Sequence, residues 1–372
     1  MRQSEVAAMR VPSRFLAIPA VLSLLVAACG GGPGAQPPTA TTAATAAPTA
    51  AATAADPDKV MAALYDAAKA EGTVAFYSST NNDDARKILP EFEKKFPGIK
   101  VVHTRKSGEA LVQQLVTEKK AGQDLFDVVE TNLFEVLFVV EQGYTQKYRV
   151  ASFADYPDQA KDKDGGWIAG RFNNDLPGIN TEKMPAGVTV KTWKDLCNPA
   201  LSGKIAVEQT DVVIYSALKK IFNETEAQAI IKCIAANKPS LRSGHTEMAN
   251  LLAAGEFAVT LSSNGHRLGQ LKYEEKKPID WARTDPIITD VQALALSNKP
   301  KNPNAAKLFM EWWTSLGGQQ AIAATGRVPA SGKVPPKYPD LNNFAKIFYV
   351  NQDLRKDFEK DAEFWRATLG IK

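Results

Sequence analysis

The amino-acid sequence predicts an α/β protein of two lobes, each a mainly parallel sheet covered by helices. Three observations predict it. Strand, cap and helix follow one another three times between Thr73 and Gly143, and a second set of such units begins past the middle of the chain, at Gly203. The stretch that carries them, residues 57–372, is long enough for two lobes of roughly 100 to 200 residues each.

In front of that body, Arg2, Arg10 and Arg14 precede an apolar run from Phe15 to Ala28 that ends at Val26-Ala27-Ala28-Cys29. The run is too short and wrongly flanked for a spanning helix, so residues 1–28 are expected to be a secretory signal peptide. Small residues before a cysteine resemble a bacterial lipobox, which makes Cys29 the expected site of lipidation and the mature N-terminus. The alternative is an ordinary Ala-x-Ala cleavage site followed by an incidental cysteine. Residues 29–56 collapse to Gly, Pro, Ala and Thr; they have almost nothing to bury and are expected to be a disordered tether. Localisation follows: outside the cytoplasm, lipid-anchored to the cell membrane.

The elements of the body follow in order. Thr73–Tyr77 is a short apolar strand, and Ser78-Ser79-Thr80-Asn81-Asn82 offers caps for an amphipathic run that ends at Phe96-Pro97-Gly98. Lys100–Thr104 is a second strand, Arg105-Lys106-Ser107-Gly108 a loop, and Glu109–Lys120 a helix. Phe126–Val129 is a third strand, followed by Thr131-Asn132 and a helix to Gly143. In the second set, Ile205–Val207 runs into Glu208-Gln209-Thr210-Asp211 and a helix. Leu241–Thr246 precedes the helix Met248–Ala254, and Phe257–Leu261 leads into Ser262-Ser263-Asn264-Gly265. The expected organisation is lobe 1 at 57–172 with 286–340, lobe 2 at 173–285, and a solvated, helical C-terminal tail at 341–372. Crossing segments are expected near Arg171–Asn180 and Pro286–Leu294.

Composition narrows the function. The whole chain carries +4, and from Cys29 onward 42 basic side chains face 40 acidic ones, a near balance with no nucleic-acid footprint. No hydrolase elbow, zinc-protease, P-loop or dinucleotide motif is present among the serines, histidines and glycines, so the chain is read as a binding protein and not an enzyme. Cys197 and Cys233 lie in an oxidising compartment and can pair, although each sits in an apolar context; the sequence leaves the pairing open.

In open α/β sheets, ligands bind beyond the carboxyl ends of the strands, where helix N-termini present free N–H groups. Here those junctions are rich in Ser, Thr, Asn and Gly. Any one of them is equally well a simple N-cap. Facing each other across a cleft they make a donor-rich pocket.

The succession EGTVAFYSS, FEKKFPGIKV, LFDVVET, GEFAVTLSS and NPNAAKLFMEWWTSLGGQQAIAATGRVPAS resembles the extracellular solute-binding proteins of ABC importers, in the branch that includes the ferric-ion-binding proteins. The resemblance implies a periplasmic-binding-protein type 2 fold with crossing hinge strands, a ligand between the lobes, and delivery to a permease with its ATPase by a monomer. Ferric binders hold the metal with a histidine, a glutamate and two adjacent tyrosines at strand ends that correspond here to Asn81, Asn132 and Asn264-Gly265. Neutral amides do not compete with water and hydroxide for Fe(III). The expected solute is therefore a small anion, a carboxylate, phosphonate or phosphate ester, with ferric iron or an iron chelate as the alternative and no cofactor. The expected ligand-binding residues are Ser78, Ser79, Thr80, Asn81, Ser107, Asn132, Thr210, Asp211, Ser243, Ser263, Asn264 and His266, with Arg105 and Arg171 as charge partners. The resemblance places Thr210, Ser243 and Ser263 where the relatives hold a small anion beside the metal.

Overall fold

The computed structural model describes residues 56–106, 108–341 and 343–371. The signal peptide, Cys29, nearly all of the tether and Ser107 lie outside them. The chain opens with α1 (Pro57–Glu71), capped by the Asp56 side chain and closed by Gly72 in the left-handed region. The first three strand–helix units follow as β1 (Thr73–Ser78), α2 (Asn82–Lys95), β2 (Lys100–Arg105), α3 (Gly108–Lys120), β3 (Val128–Asn132) and α4 (Leu133–Glu141). A short β4 (Thr145–Gln146) precedes the long β5 (Ile168–Leu176), which continues as β6 (Gly178–Asn180).

The second set consists of β7 (Ile205–Glu208), α5 (Val212–Ile221), α6 (Glu224–Ala236), β8 (Ser240–Arg242), α7 (His245–Ala254) and β9 (Val259–Thr260). The chain then runs through β10 (Ser263–Asn264), α8 (Gly265–Gly269), β11 (Ile279–Trp281) and the eleven-residue β12 (Ile287–Ser297). It closes with α9 (Pro303–Thr314), α10 (Leu316–Ala324), β13 (Val328–Pro329), β14 (Ile347–Tyr349) and α11 (Phe358–Leu369).

Two sheets result. The first has the order β10-β5-β12-β3-β1-β2, with β13, β14 and β4 attached, and the second β11-β6-β9-β7-β8. The pairs β1–β2, β1–β3, β7–β8 and β7–β9 are parallel, as strand–helix–strand units require. The strands that pass between sheets, β5, β6 and β12, pair antiparallel with their sheet neighbours, β14 excepted. The strand β5 stays in the first sheet to Leu176 and β10 returns to it at Ser263, so the chain changes sheet at Pro177 and again at Ser262.

The core beneath the first sheet is aromatic: Phe76 packs on Phe309 and Trp313 at centroid distances of 4.8 and 5.1 Å, and Phe92 meets Phe309 and Trp312. Cys197 and Cys233 form a disulfide with Cα atoms 5.2 Å apart, tying the short turn Trp193–Cys197 to α6. Replacing Cys233 with Ser should lower stability by about 2–4 kcal/mol; chemical denaturation with and without reductant checks it, and a reductant-insensitive midpoint in the wild type would exclude the bridge.

The C-terminal segment departs from the expectation of a solvated tail. Its strand β14 pairs with β12 in the first sheet, and α11 lies on α5, where Phe364 stacks on Tyr215 at 4.6 Å and Lys219 pairs with the buried Asp361 at 2.5 Å. The charge run misled because Leu354, Asp361 and Trp365 point inward between the exposed charges. Among the described residues no helix is long and apolar enough to cross a membrane.

Candidate functional site

Strand β5 reads Arg171, Asn173, Asp175 at every second position, and β12 reads Asp290, Gln292. A strand that alternates in this way aims one row of polar side chains at one face. Register puts the rows together: Gln292 is opposite Arg171, Asp290 opposite Asn173, Asn132 opposite Gln292, and Asn264 opposite Asp175. Paired residues share a face, so Asn132, Gln292, Asp290, Asn173, Asp175 and Asn264 form one polar strip across β3, β12, β5 and β10. Three inter-strand steps make it roughly 14 Å wide.

Hydrogen bonds run along the strip. Gln292 Nε2 donates to Asn132 Oδ1 at 2.8 Å and to Asp290 Oδ2 at 3.3 Å, and Ser79 Oγ donates to Gln292 Oε1 at 3.3 Å. Asn132 Nδ2 donates to Glu135 Oε1 at 3.2 Å in the first turn of α4. Gly108 starts α3 against that pair, where a Cβ would stand 2.5 Å from Glu135 Oε1 and would push that carboxyl aside.

From the second sheet come the ends of β7 and β8. Glu208 accepts from Thr210 N and Oγ1 at 2.7 and 2.6 Å and from Gly244 N at 3.2 Å. Asp211 pairs with His245 Nε2 at 3.0 Å and accepts from Ser262 Oγ at the crossover. Burial would lower the His245 pKa, but the Asp211, Asp175 and Glu208 charges more than offset it and raise it to about 10, so His245 is a cation.

The expected site residues divide. Ser79, Asn132 and Asn264 belong to the strip, and Asp211 and Thr210 face it from the second sheet. Ser78 is fully buried and bonds His103 Nε2 at 2.8 Å. Thr80 donates to Glu130 at 2.8 Å and accepts from Arg171 at 3.0 Å, while Arg171 pairs with Glu130 at 3.1 Å. Asn81 caps α2 through Asp84 N. Ser263 is buried and exchanges a hydrogen bond with Thr260 at 2.9 Å; it pairs with Leu176 and so points to the face opposite Asn264. Arg105 and Ser243 are exposed. His266 is buried 4.0 Å from Asp84, which Arg327 holds at 2.6 Å, and burial with the Arg327 and Arg171 charges keeps the ring neutral at physiological pH.

This corrects the expectation of a donor-rich, charge-poor pocket. The hydroxyls of Ser78, Thr80 and Ser263 are spent inside the protein, and the strip carries acidic side chains instead. Arg171 is neutralised by Glu130 and Arg327 by Asp84. Asp175, Asp211 and Glu208 then share the cation His245, and Asp290 and Glu135 are further acidic side chains along the strip. Asp175 is 6 % exposed and its carboxylate has no hydrogen-bond partner among the described residues; burial, with Asp211 working against His245, raises its pKa to about 8. Burial and the neighbouring charges of Asp175 and Glu135 push Asp290 well above the carboxylate range. Sequence reading missed Asp175, Asp290, Gln292 and Asn173, although the polar alternation in RFNND and TDVQ was visible. Among the described residues no three His, Cys, Asp or Glu side chains converge as a metal-binding group.

No curated protein matches the chain. The structure is similar to iron-bound HitA from Pseudomonas aeruginosa (18% identity, TM-score 0.68, covering 80% of this chain and 99% of that one). It is similar also to the substrate binding protein of the ABC transporter from Agrobacterium tumefaciens (16%, 0.72, 80% and 94%) and to the ferric binding protein from Campylobacter jejuni (18%, 0.68, 79% and 99%). These share the two-lobed periplasmic-binding-protein type 2 fold. The profile of the family described as bacterial extracellular solute-binding protein matches residues 77–320, and the chain belongs to that family.

Proposed function

We propose that this solute-binding protein is the capture subunit of an ABC importer and holds a positively charged solute over the polar strip. Asp175 is the observation that carries the sign of the charge. A nearly buried carboxyl group without a donor among the described residues, next to Asp290 and across from Asp211, is held protonated by burial; a cation draws it into its charged form and an anion opposes that. The lobes close about Pro177, Ser262 and the segment entering β12, and the closed form is passed to the permease and its ATPase. Lipidation at Cys29 and the tether to residue 56 keep the monomer at the membrane.

Ferric iron, free or chelated, is the second reading. The similarity to an iron-bound structure favours it, as do the hard carboxyl oxygens of the strip, although the family resemblance implies that Asn81, Asn132 and Asn264-Gly265 occupy the places of the ferric ligands. Thermal melting with a linear diamine, ferric citrate, citrate alone, a dicarboxylate, a phosphate ester and a sugar tests the sign. Stabilisation is expected from the diamine or from ferric citrate beyond citrate alone; a largest shift with the dicarboxylate or phosphate ester refutes the proposal.

A further inference from the structure

The strip has an acidic group at each end, and this deepens the cation reading on which it rests. At one end is Asp175, with Asp211 opposite from the second sheet. At the other end, past Asn132, is Glu135, half-buried and raised above its ordinary pKa by burial. Between them lie the amides of Asn132, Gln292 and Asn173 and the Asp290 carboxyl, which is one strand and two residues from Asp175 and from Asn132 alike and accepts from Gln292. Arg171, whose charge would otherwise interrupt the row, is committed to Glu130 and Thr80.

We infer that the solute is an elongated organic dication, with an ammonium or guanidinium group at each end and a chain between, lying along the strip from Glu135 to Asp175. The amides fit this class better than a metal. Side-chain carbonyls of Asn and Gln accept hydrogen bonds from ammonium N–H groups, whereas Fe(III) requires several converging anionic oxygens. By register Asp175 and Asn132 are two strands and four residues apart, roughly 16 Å, beyond the reach of one ion bound at about 2 Å per ligand but within that of an extended chain. The unpartnered carboxylate of Asp175 supplies the anchor, because a buried charge gains most from a direct charge-assisted partner.

The test is titration calorimetry of the intact protein with a series of α,ω-diaminoalkanes from two to ten carbons, together with hexylamine, ferric citrate and adipate. Affinity should pass through a maximum within the diamine series, and hexylamine should bind weaker than the best diamine. Asp175→Asn should weaken the best diamine by roughly tenfold or more. Glu135→Gln should weaken the diamine while leaving hexylamine unchanged. Tighter binding of ferric citrate or adipate, lost in Asp175→Asn, overturns the dication and leaves the cleft in place. Binding of any of these that neither variant alters overturns the cleft assignment itself. If no member of the series binds the wild type at millimolar concentration, the inference fails whether or not the variants fold.

Discussion

Arg171→Met should cost the protein about 3–5 kcal/mol of stability, because it leaves Glu130 as an uncompensated charge in the interior. Both side chains are almost fully buried and their ion pair is 3.1 Å long. Thr80 completes the unit, donating to Glu130 Oε2 and accepting from Arg171 Nη2. The same logic predicts the repair. Arg171→Met combined with Glu130→Met removes both charges and should restore most of the loss, since well-packed apolar side chains often replace a buried ion pair at little cost. Urea unfolding of the two single variants and the double checks it; equal losses in the single Arg171 variant and in the double would show that the guanidinium acts through packing alone. This trio ties the segment after β1 to β3 and β5.

Asp175→Asn should do the opposite, stabilising the ligand-free protein as it weakens binding. The folded-state pKa of Asp175 is raised to about 8, far above the ordinary carboxylate value. A raised group contributes its full stability below the unfolded pKa and loses it as pH climbs through the folded one. Stability of the wild type should therefore fall between about pH 4 and pH 8, by a few kcal/mol. His245, raised to about 10 by its acidic neighbours, acts in the same direction from about pH 6.5 upward. Asparagine cannot ionise, so the variant should melt several degrees above the wild type at pH 8 and together with it at pH 4. A wild-type melting temperature independent of pH across that window would remove the strained carboxylate from the account. Function kept at the expense of stability is the pattern expected of a binding group held ready for its partner.

Much of the scaffold was legible in the sequence because it rests on local rules. The units from Thr73 to Gly143 and from Ile205 to Ala254 follow from strand composition, caps and helical periodicity, and the structure places β1, β2, α2, α3 and α7 within a few residues of where those rules put them. Asn81 was legible as a cap, and a cap is what it is. The site was less legible. Whether a serine at a strand end faces a cleft or the core depends on register, and one residue of difference separates Asn264, on the strip, from Ser263, turned inward to Thr260. The C-terminal segment misled for a related reason: its charges alternate with buried side chains whose partners, β12 and α5, are 50 or more residues away in the chain.

The sequence by itself determined the export signal and tether as expectations, the two sets of strand–helix units, and the family through motifs spread over most of the body. Only the tertiary structure decided which polar groups are spent and which are left over. Arg171 is neutralised by a residue 41 positions away and Ser262 is drawn to Asp211 51 positions away, while Asp175 receives no donor among the described residues. Charge balance in a cleft is a sum over side chains that only folding brings within a few ångströms, where low dielectric makes each pairing count.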